Sequence, residues 1–307
     1  ISQAWMAPTG IFNSHLIMAA CVERNGTEEQ KRRYLPRFAT GELRGGIGLT
    51  EPNAGTDLQG IRTVARRDGD GYVIDGTKTW ITNGVYGTCF AVLTKTDPEA
   101  EPRHKGMSMF IAEKGPGFTV GRNLKKMGWW ASDTAELFFQ DCRVPVETLL
   151  GPETSGFFTI MANFQAERLS LAIMATMTAQ LALEQCLAYV KERTTFGKPL
   201  SKHQVIRHKL VDMQQRIRST EAWLEQLAAR ADAGDTGADW VGEVCVLKNN
   251  ATQAMAFCAD AGVQILGGMG FMRGTVCERL YREVKVLTIG GGTEEIMKDL
   301  AARQWRL

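Results

Sequence analysis

The chain lacks an excess of either charge. Its 307 residues carry 36 Lys and Arg against 34 Asp and Glu, a formal net charge of +2. A basic groove for nucleic acid or a strongly charged membrane-facing surface is therefore not expected. Histidine is scarce: there are four, and none sits at ligand spacing from another His or Cys. His203 and His208 are five apart, which does not align them on one helical face. The seven cysteines, at 21, 89, 142, 186, 245, 258 and 277, are odd in number and form no CxxC pair. No metal site and no disulfide framework is expected from them, and buried free thiols fit the pattern. No uninterrupted apolar run approaches 18 residues, so a membrane-spanning helix is not expected either. The chain begins at Ile1 with no visible signal segment, and reads as starting inside a larger protein.

What is present is ordinary globular material, 44% hydrophobic and 23% charged, enough for two or three domains. Residues 1–44 have helical patterning, with a cap signal at Asn25-Gly26-Thr27 and carboxylates just after it. Residues 45–153 change character. YVIDGTKTWITNG, CFAVLTKT, GMSMFIAEK, GFTVGR and AELFFQDCRVP are short β-type runs divided by Gly, Asp-Gly, Asn-Gly and Pro. No helix-length segments lie between them, which disfavours a parallel βαβ sheet. Residues 154–307 turn helical again, with long stretches at 157–192, 201–232, 237–266 and 293–303. The expectation is an α+β protein: helices, then a β-barrel-like domain, then a four-helix-type bundle.

Two features carry chemistry. In FFTIMANFQAERLSLAIMATMTAQLA, helical spacing puts Ile160, Phe164, Glu167, Leu171, Met174 and Leu181 on one face, apolar except at Glu167. A carboxylate there is costly unless paired, and desolvation raises its proton affinity. Periodicity alone favours a structural Glu, solvated at the stripe's edge or paired with a neighbour such as Arg168. The second feature is glycine. VLTIGGGTEEI stops an apolar run at three glycines before a helix start, allowing close backbone approach at a helix N-terminus. GGIGLTEPNAGTD is neither a dinucleotide fingerprint nor a P-loop. It is a turn-rich boundary, or else a backbone surface with Thr50 and Thr56 hydroxyls suited to a flat polar ligand and its phosphates.

Taken together, GLTEPNAGTD, TKTWITNG, KKMGWWASDTAELFFQDCRVP, QAERLSLA, ERTTFGKPLSKHQ, QILGGMGF and IGGGTEEI resemble the acyl-CoA dehydrogenase family. Their order and spacing agree along essentially the whole chain. The resemblance implies FAD as cofactor and oxidation of an acyl-CoA thioester to the trans-2-enoyl-CoA. A carboxylate takes the α-proton, a hydride moves to flavin N5, and electrons pass to an electron-transferring flavoprotein. It implies the same three-part fold, with part of the N-terminal helical domain absent. The setting would be fatty acid metabolism, in the cytoplasm of a bacterium or the mitochondrial matrix of a eukaryote.

Many members carry the base in a Glu-Gly-Thr triplet at the glycine loop, where this chain has Gly291. The long-chain and isovaleryl branch carries it on a helix, in a Glu-Arg-Leu triplet that here is Glu167-Arg168-Leu169. By that resemblance Glu167 is the base, and the Gly291 N–H binds the thioester carbonyl. Leu49, Thr50, Gly55 and Thr56 match flavin and phosphate contacts, and Trp80 and Thr82 match the pair beside the isoalloxazine. Thr293 and Glu295 match contacts to the ADP half. Arg193, Phe196, Gln204, Gln264 and Gly268 match residues reaching a neighbouring subunit's FAD, so a homo-oligomer, commonly a tetramer, is expected. Phe164 and Arg168 match substrate contacts. A glycine at 291 is expected to leave room for long or branched acyl chains, and moving the base by E167G with G291E to restore some activity. An acyl-CoA oxidase and a flavin-free scaffold are the alternatives.

Overall fold

Two units make up the chain in a computed structural model that describes residues 1–307. One contains Gly10–Lys126 and Trp130–Phe164; the other contains Ile1–Thr9, Met127–Trp129 and Gln165–Leu307.

The first unit holds most of α1 (Met6–Asn25), then α2 (Glu28–Ala39) and eight strands. The strands are β1 (Gly45–Gly48), β2 (Val64–Asp68), β3 (Gly71–Thr82), β4 (Cys89–Lys95), β5 (Met107–Glu113), β6 (Phe118–Val120), β7 (Thr134–Pro145) and β8 (Leu149–Leu150). Helix α2 starts where the sequence indicates. Thr27 Oγ1 accepts from the Gln30 N–H at 3.2 Å, and Gln30 Oε1 accepts from the Thr27 N–H at 2.9 Å. This reciprocal cap satisfies two otherwise orphaned donors. Buried Gln30 also donates to the carbonyls of Glu147 and Leu149, both at 2.8 Å, tying the helix start to β8.

The strands form one sheet in the order β6-β7-β3-β2-β4-β5-β8, with β1 against β4. The pairing is mixed: β1–β4 runs parallel, and so does the single β2–β4 pair, while the rest is antiparallel. Three of these strands were not among the expected runs, the two-residue β8 being one. β2 (VARRD) is short and charged, and β1 (GGIG) reads as a turn. The glycine in β1 is required by proximity: a Cβ on Gly45 would stand 1.6 Å from the Cys89 carbonyl oxygen. Both faces of the sheet are covered. Cys89, Ala91 and Leu93 pack with Met18, Tyr34 and Phe38, whereas Phe90 and Val92 pack with Ile74, Phe118 and Phe139. This two-sided burial is why β4 and β5 read as continuous apolar runs.

The second unit is helical. It comprises α3 (Gly156–Glu192, from Gln165 onward), a hairpin of β9 (Thr194–Thr195) and β10 (Lys198–Pro199), then α4 (Gln204–Asp232) and α5 (Ala238–Leu266). Short helices α6 (Gly268–Phe271), α7 (Val276–Glu283) and α8 (Lys285–Ile289) lead to α9 (Glu294–Trp305). Its core gathers Leu171, Met174, Ala175, Ala179 and Leu183 of α3, Met213 and Ile217 of α4, and Val244, Leu247 and Met255 of α5. Buried Thr176 and Thr178 donate to the carbonyls one turn back, each at 2.8 Å, so their hydroxyls are satisfied. Helix α3 does contain one stretch long and apolar enough to cross a membrane by length and composition, where none was expected. Between Arg168 and Glu184 the apolar residues are interrupted only by Ser170, Thr176, Thr178 and Gln180, so the composition passes although no continuous apolar run does. Most of that stretch is buried inside the protein.

Candidate active site

Helix α3 carries the carboxylate that breaks the apolar stripe. Glu167 is half-buried, and its Oε2 is hidden from solvent without a hydrogen-bond partner. Burial pushes its carboxyl up to about 7, against the opposing charges of Arg168 and Lys248. Arg168 is buried; its Nε donates to the Gly291 carbonyl at 3.2 Å and its Nη1 to Gln165 Oε1 at 3.2 Å. Glu167 is thus not neutralised as the structural reading of the stripe had it. Arg168, expected at the substrate, instead has its guanidinium buried and bonded to protein acceptors.

Those bonds lead to the glycine loop. Gly291 and Gly292 have φ of +68° and +105°, the left-handed region that L side chains avoid. A Cβ at Gly291 would lie 2.4 Å from Leu171 Cδ1. Leu171 is one helical turn beyond Glu167, so the loop passes against the face of α3 that carries the carboxylate. The space that a side chain at 291 would enter is filled by Leu171.

The loop is also held from α5. Lys248, fully buried, donates to the Gly292 carbonyl at 2.7 Å. Burial lowers its ammonium to about 8, partly opposed by the charges of Glu294 and Glu167. Asn249 Nδ2 donates to the Glu294 carbonyl at 2.9 Å, and Thr293 Oγ1 caps α9 by accepting from the Ile296 N–H at 3.4 Å. Glu295 is exposed in the first turn of α9. The sequence reading missed Lys248 and Asn249. Nothing in their spacing links them to a loop more than forty residues on.

In the sheet unit, a second buried lysine organises the glycine-rich segment. Lys78 of β3 donates to Glu51 Oε1 at 2.8 Å and to the Leu49 carbonyl at 3.1 Å. The Thr79 N–H donates to the Thr50 carbonyl at 2.8 Å, while Glu51 also accepts from the N–H groups of Arg62 and Thr63. Burial alone would raise the Glu51 carboxyl; the Lys78 charge and these hydrogen bonds outweigh it and hold it below its usual range. Leu49 and Thr50 are thereby fastened beside Trp80. That indole is 63% exposed at φ +57°, where the β3–β7 register shifts between Lys78 and Ile81. Thr82 is half-buried, Gly55 and Thr56 are exposed, and Phe164 is half-buried at the end of this unit. Both partners of the Lys78–Glu51 pair lie in quoted motifs, but 27 residues of separation conceal the pairing.

The remaining expected positions lie on the helical unit. Arg193 follows α3, Phe196 tips the β9–β10 hairpin, Gln204 opens α4, Gln264 is in the last turn of α5, and Gly268 opens α6. All five are exposed in the single chain, Phe196 to 97%.

Sequence models of the acyl-CoA dehydrogenase N-terminal, middle and C-terminal domains match residues 1–42, 46–142 and 154–305. The long-chain specific acyl-CoA dehydrogenase of Mus musculus mitochondria is 37% identical over 310 residues, spanning 98% of this chain and 70% of that protein. The chain belongs to the acyl-CoA dehydrogenase family. The isovaleryl-CoA dehydrogenase of Solanum tuberosum mitochondria is 38% identical over 283 residues, 92% of this chain and 67% of that protein. The crystal structure of an acyl-CoA dehydrogenase from Geobacillus kaustophilus superposes with a TM-score of 0.91 at 42% identity, covering 94% of this chain and 75% of that one. As a member, the protein is an FAD-dependent acyl-CoA dehydrogenase, and the flavin-free scaffold reading is set aside.

Proposed function

We propose that Glu167 is the general base that takes the α-proton of an acyl-CoA thioester, yielding the trans-2-enoyl-CoA. The observation that carries this is the buried, unpartnered Glu167 Oε2 on the face of α3 that the glycine loop covers. A carboxyl titrating near 7 is matched to proton abstraction at neutral pH: it is ionised in a large share of molecules and still basic. The Gly291 N–H, on a loop whose carbonyls are held by Arg168 and Lys248, donates to the thioester carbonyl and stabilises charge developing there. Phe164 and Arg168 border the substrate, Arg168 by fixing the loop rather than by exposing its charge.

The residues present fit a flavin. Trp80 offers an exposed flat face in a strained backbone position, and the segment fastened beside it adds the Thr50 hydroxyl and the exposed Gly55 and Thr56. Leu49, Thr50, Gly55, Thr56, Trp80 and Thr82 would hold it, with Thr293 and Glu295 at its ADP half. Bound FAD supplies the two-electron acceptor for the β-hydrogen. Arg193, Phe196, Gln204, Gln264 and Gly268 would reach the FAD of a neighbouring copy in a tetramer, and an electron-transferring flavoprotein would take the electrons away. Replacing Glu167 by Gln tests the base. The holoenzyme should keep its yellow absorbance and lose turnover by about two to four orders of magnitude. Turnover within a few-fold of wild type would refute the assignment.

A further inference from the structure

We infer that Lys248 is a positioning residue for this reaction: with Arg168 it clamps two successive carbonyls of the glycine loop against the side of α3 that bears Glu167. The inference rests on the reading of Glu167 as the base.

The geometry is specific. Arg168, from α3, donates to the Gly291 carbonyl at 3.2 Å, and Lys248, from α5, donates to the Gly292 carbonyl at 2.7 Å. Lys248 has no exposed surface, yet no carboxylate forms an ion pair with it; its hydrogen-bond acceptor is a main-chain oxygen. Buried lysines are rare unless paired, and packing of the helices gives no reason for an ammonium at this position. A reason appears at the loop. Adjacent glycines with positive φ have little conformational preference of their own. Holding these two carbonyls fixes the peptide planes that carry the Gly292 and Thr293 N–H groups, and so restrains the loop immediately after the Gly291 N–H. The groups facing Lys248 are Glu167 and Arg168 of α3, Cys245 of α5 and Glu294 of α9; those facing Glu167 are Arg168 and Lys248. Lys248 therefore also favours the ionised form of Glu167, opposing the burial that disfavours it.

The test uses K248M, K248R and E167Q holoenzymes with two readouts. One is hydrogen exchange at the amides of residues 290–294 in the resting protein. The other is the pH dependence of kcat and of kcat/KM with a saturated acyl-CoA. K248M removes the charge while keeping an apolar chain of similar length, so the fold should survive. It should speed exchange in the loop by about tenfold or more and lower kcat about 10- to 100-fold with little change in KM. The acid limb of the pH profile should move to higher pH, because Glu167 loses a cation that favours its charged form. K248R keeps a charged donor and should recover loop protection and most of kcat. K248M with wild-type loop exchange and an unmoved acid limb would overturn the inference. If E167Q instead keeps its turnover, the base assignment is what fails, and the exchange result then decides the clamp alone.

Discussion

Glu167 was legible in the sequence as the single charge in an apolar stripe, and the motif resemblance, not the periodicity, marked it as the expected base. Periodicity alone favoured a structural carboxylate; the buried unpartnered oxygen and the adjoining loop support the proposed base over an ion pair. The same burial has a cost in stability. The native carboxyl is raised from its ordinary 4.5 to about 7, so between those values the folded chain binds more protons than the unfolded one. Stability contributed at this residue therefore falls as pH rises through that window, by up to about 3 kcal/mol. E167Q has no such dependence. Its melting temperature should exceed that of wild type at pH 8 and approach it near pH 4.5. A difference that stays constant with pH would contradict the burial argument. Gly291 also changes meaning once its surroundings are known. The exchange E167G with G291E puts a side chain at positive φ and onto Leu171. Recovered activity should be weak, and should rise when Leu171→Ala is added; no gain from the third change would show that Leu171 is not the obstacle.

Among the elements, those with strong local signals were legible: the cap at Thr27, the strands β3 to β7, and the long helices α3, α4 and α5. Elements formed by distant partners were not. β1 is a strand because glycine lets it approach β4, and segment 49–51 is ordered by Lys78, a contact that no window of sequence contains. The buried Lys78–Glu51 pair should consequently be sensitive to removal of one partner. K78M strands the Glu51 carboxylate and is expected to cost about 3–5 kcal/mol in denaturant unfolding. K78M with E51Q together should cost less than K78M alone. Because the Glu51 carboxyl is held below its usual range, its stabilisation is present above the unfolded carboxyl's pKa and is lost as pH falls through the folded value. Acid unfolding of E51Q should accordingly be shallower than that of wild type.

For the whole molecule, the sequence supplied the family through motifs in register, and the structure adds how each unit presents its part. The helical unit offers a carboxylate, a clamped glycine loop and five exposed positions; the sheet unit offers an exposed indole beside a fastened hydroxyl-bearing segment. Light scattering should find a tetramer, and turnover should reduce an electron-transferring flavoprotein with little hydrogen peroxide. Rapid peroxide release would favour the oxidase alternative. The most direct test of the central claim is anaerobic mixing of acyl-CoA with E167Q holoenzyme, following the yellow flavin absorbance in a single turnover. Wild type should bleach rapidly, whereas E167Q should bind the acyl-CoA and stay yellow. Bleaching of E167Q at the wild-type rate would show that the proton leaves by another route.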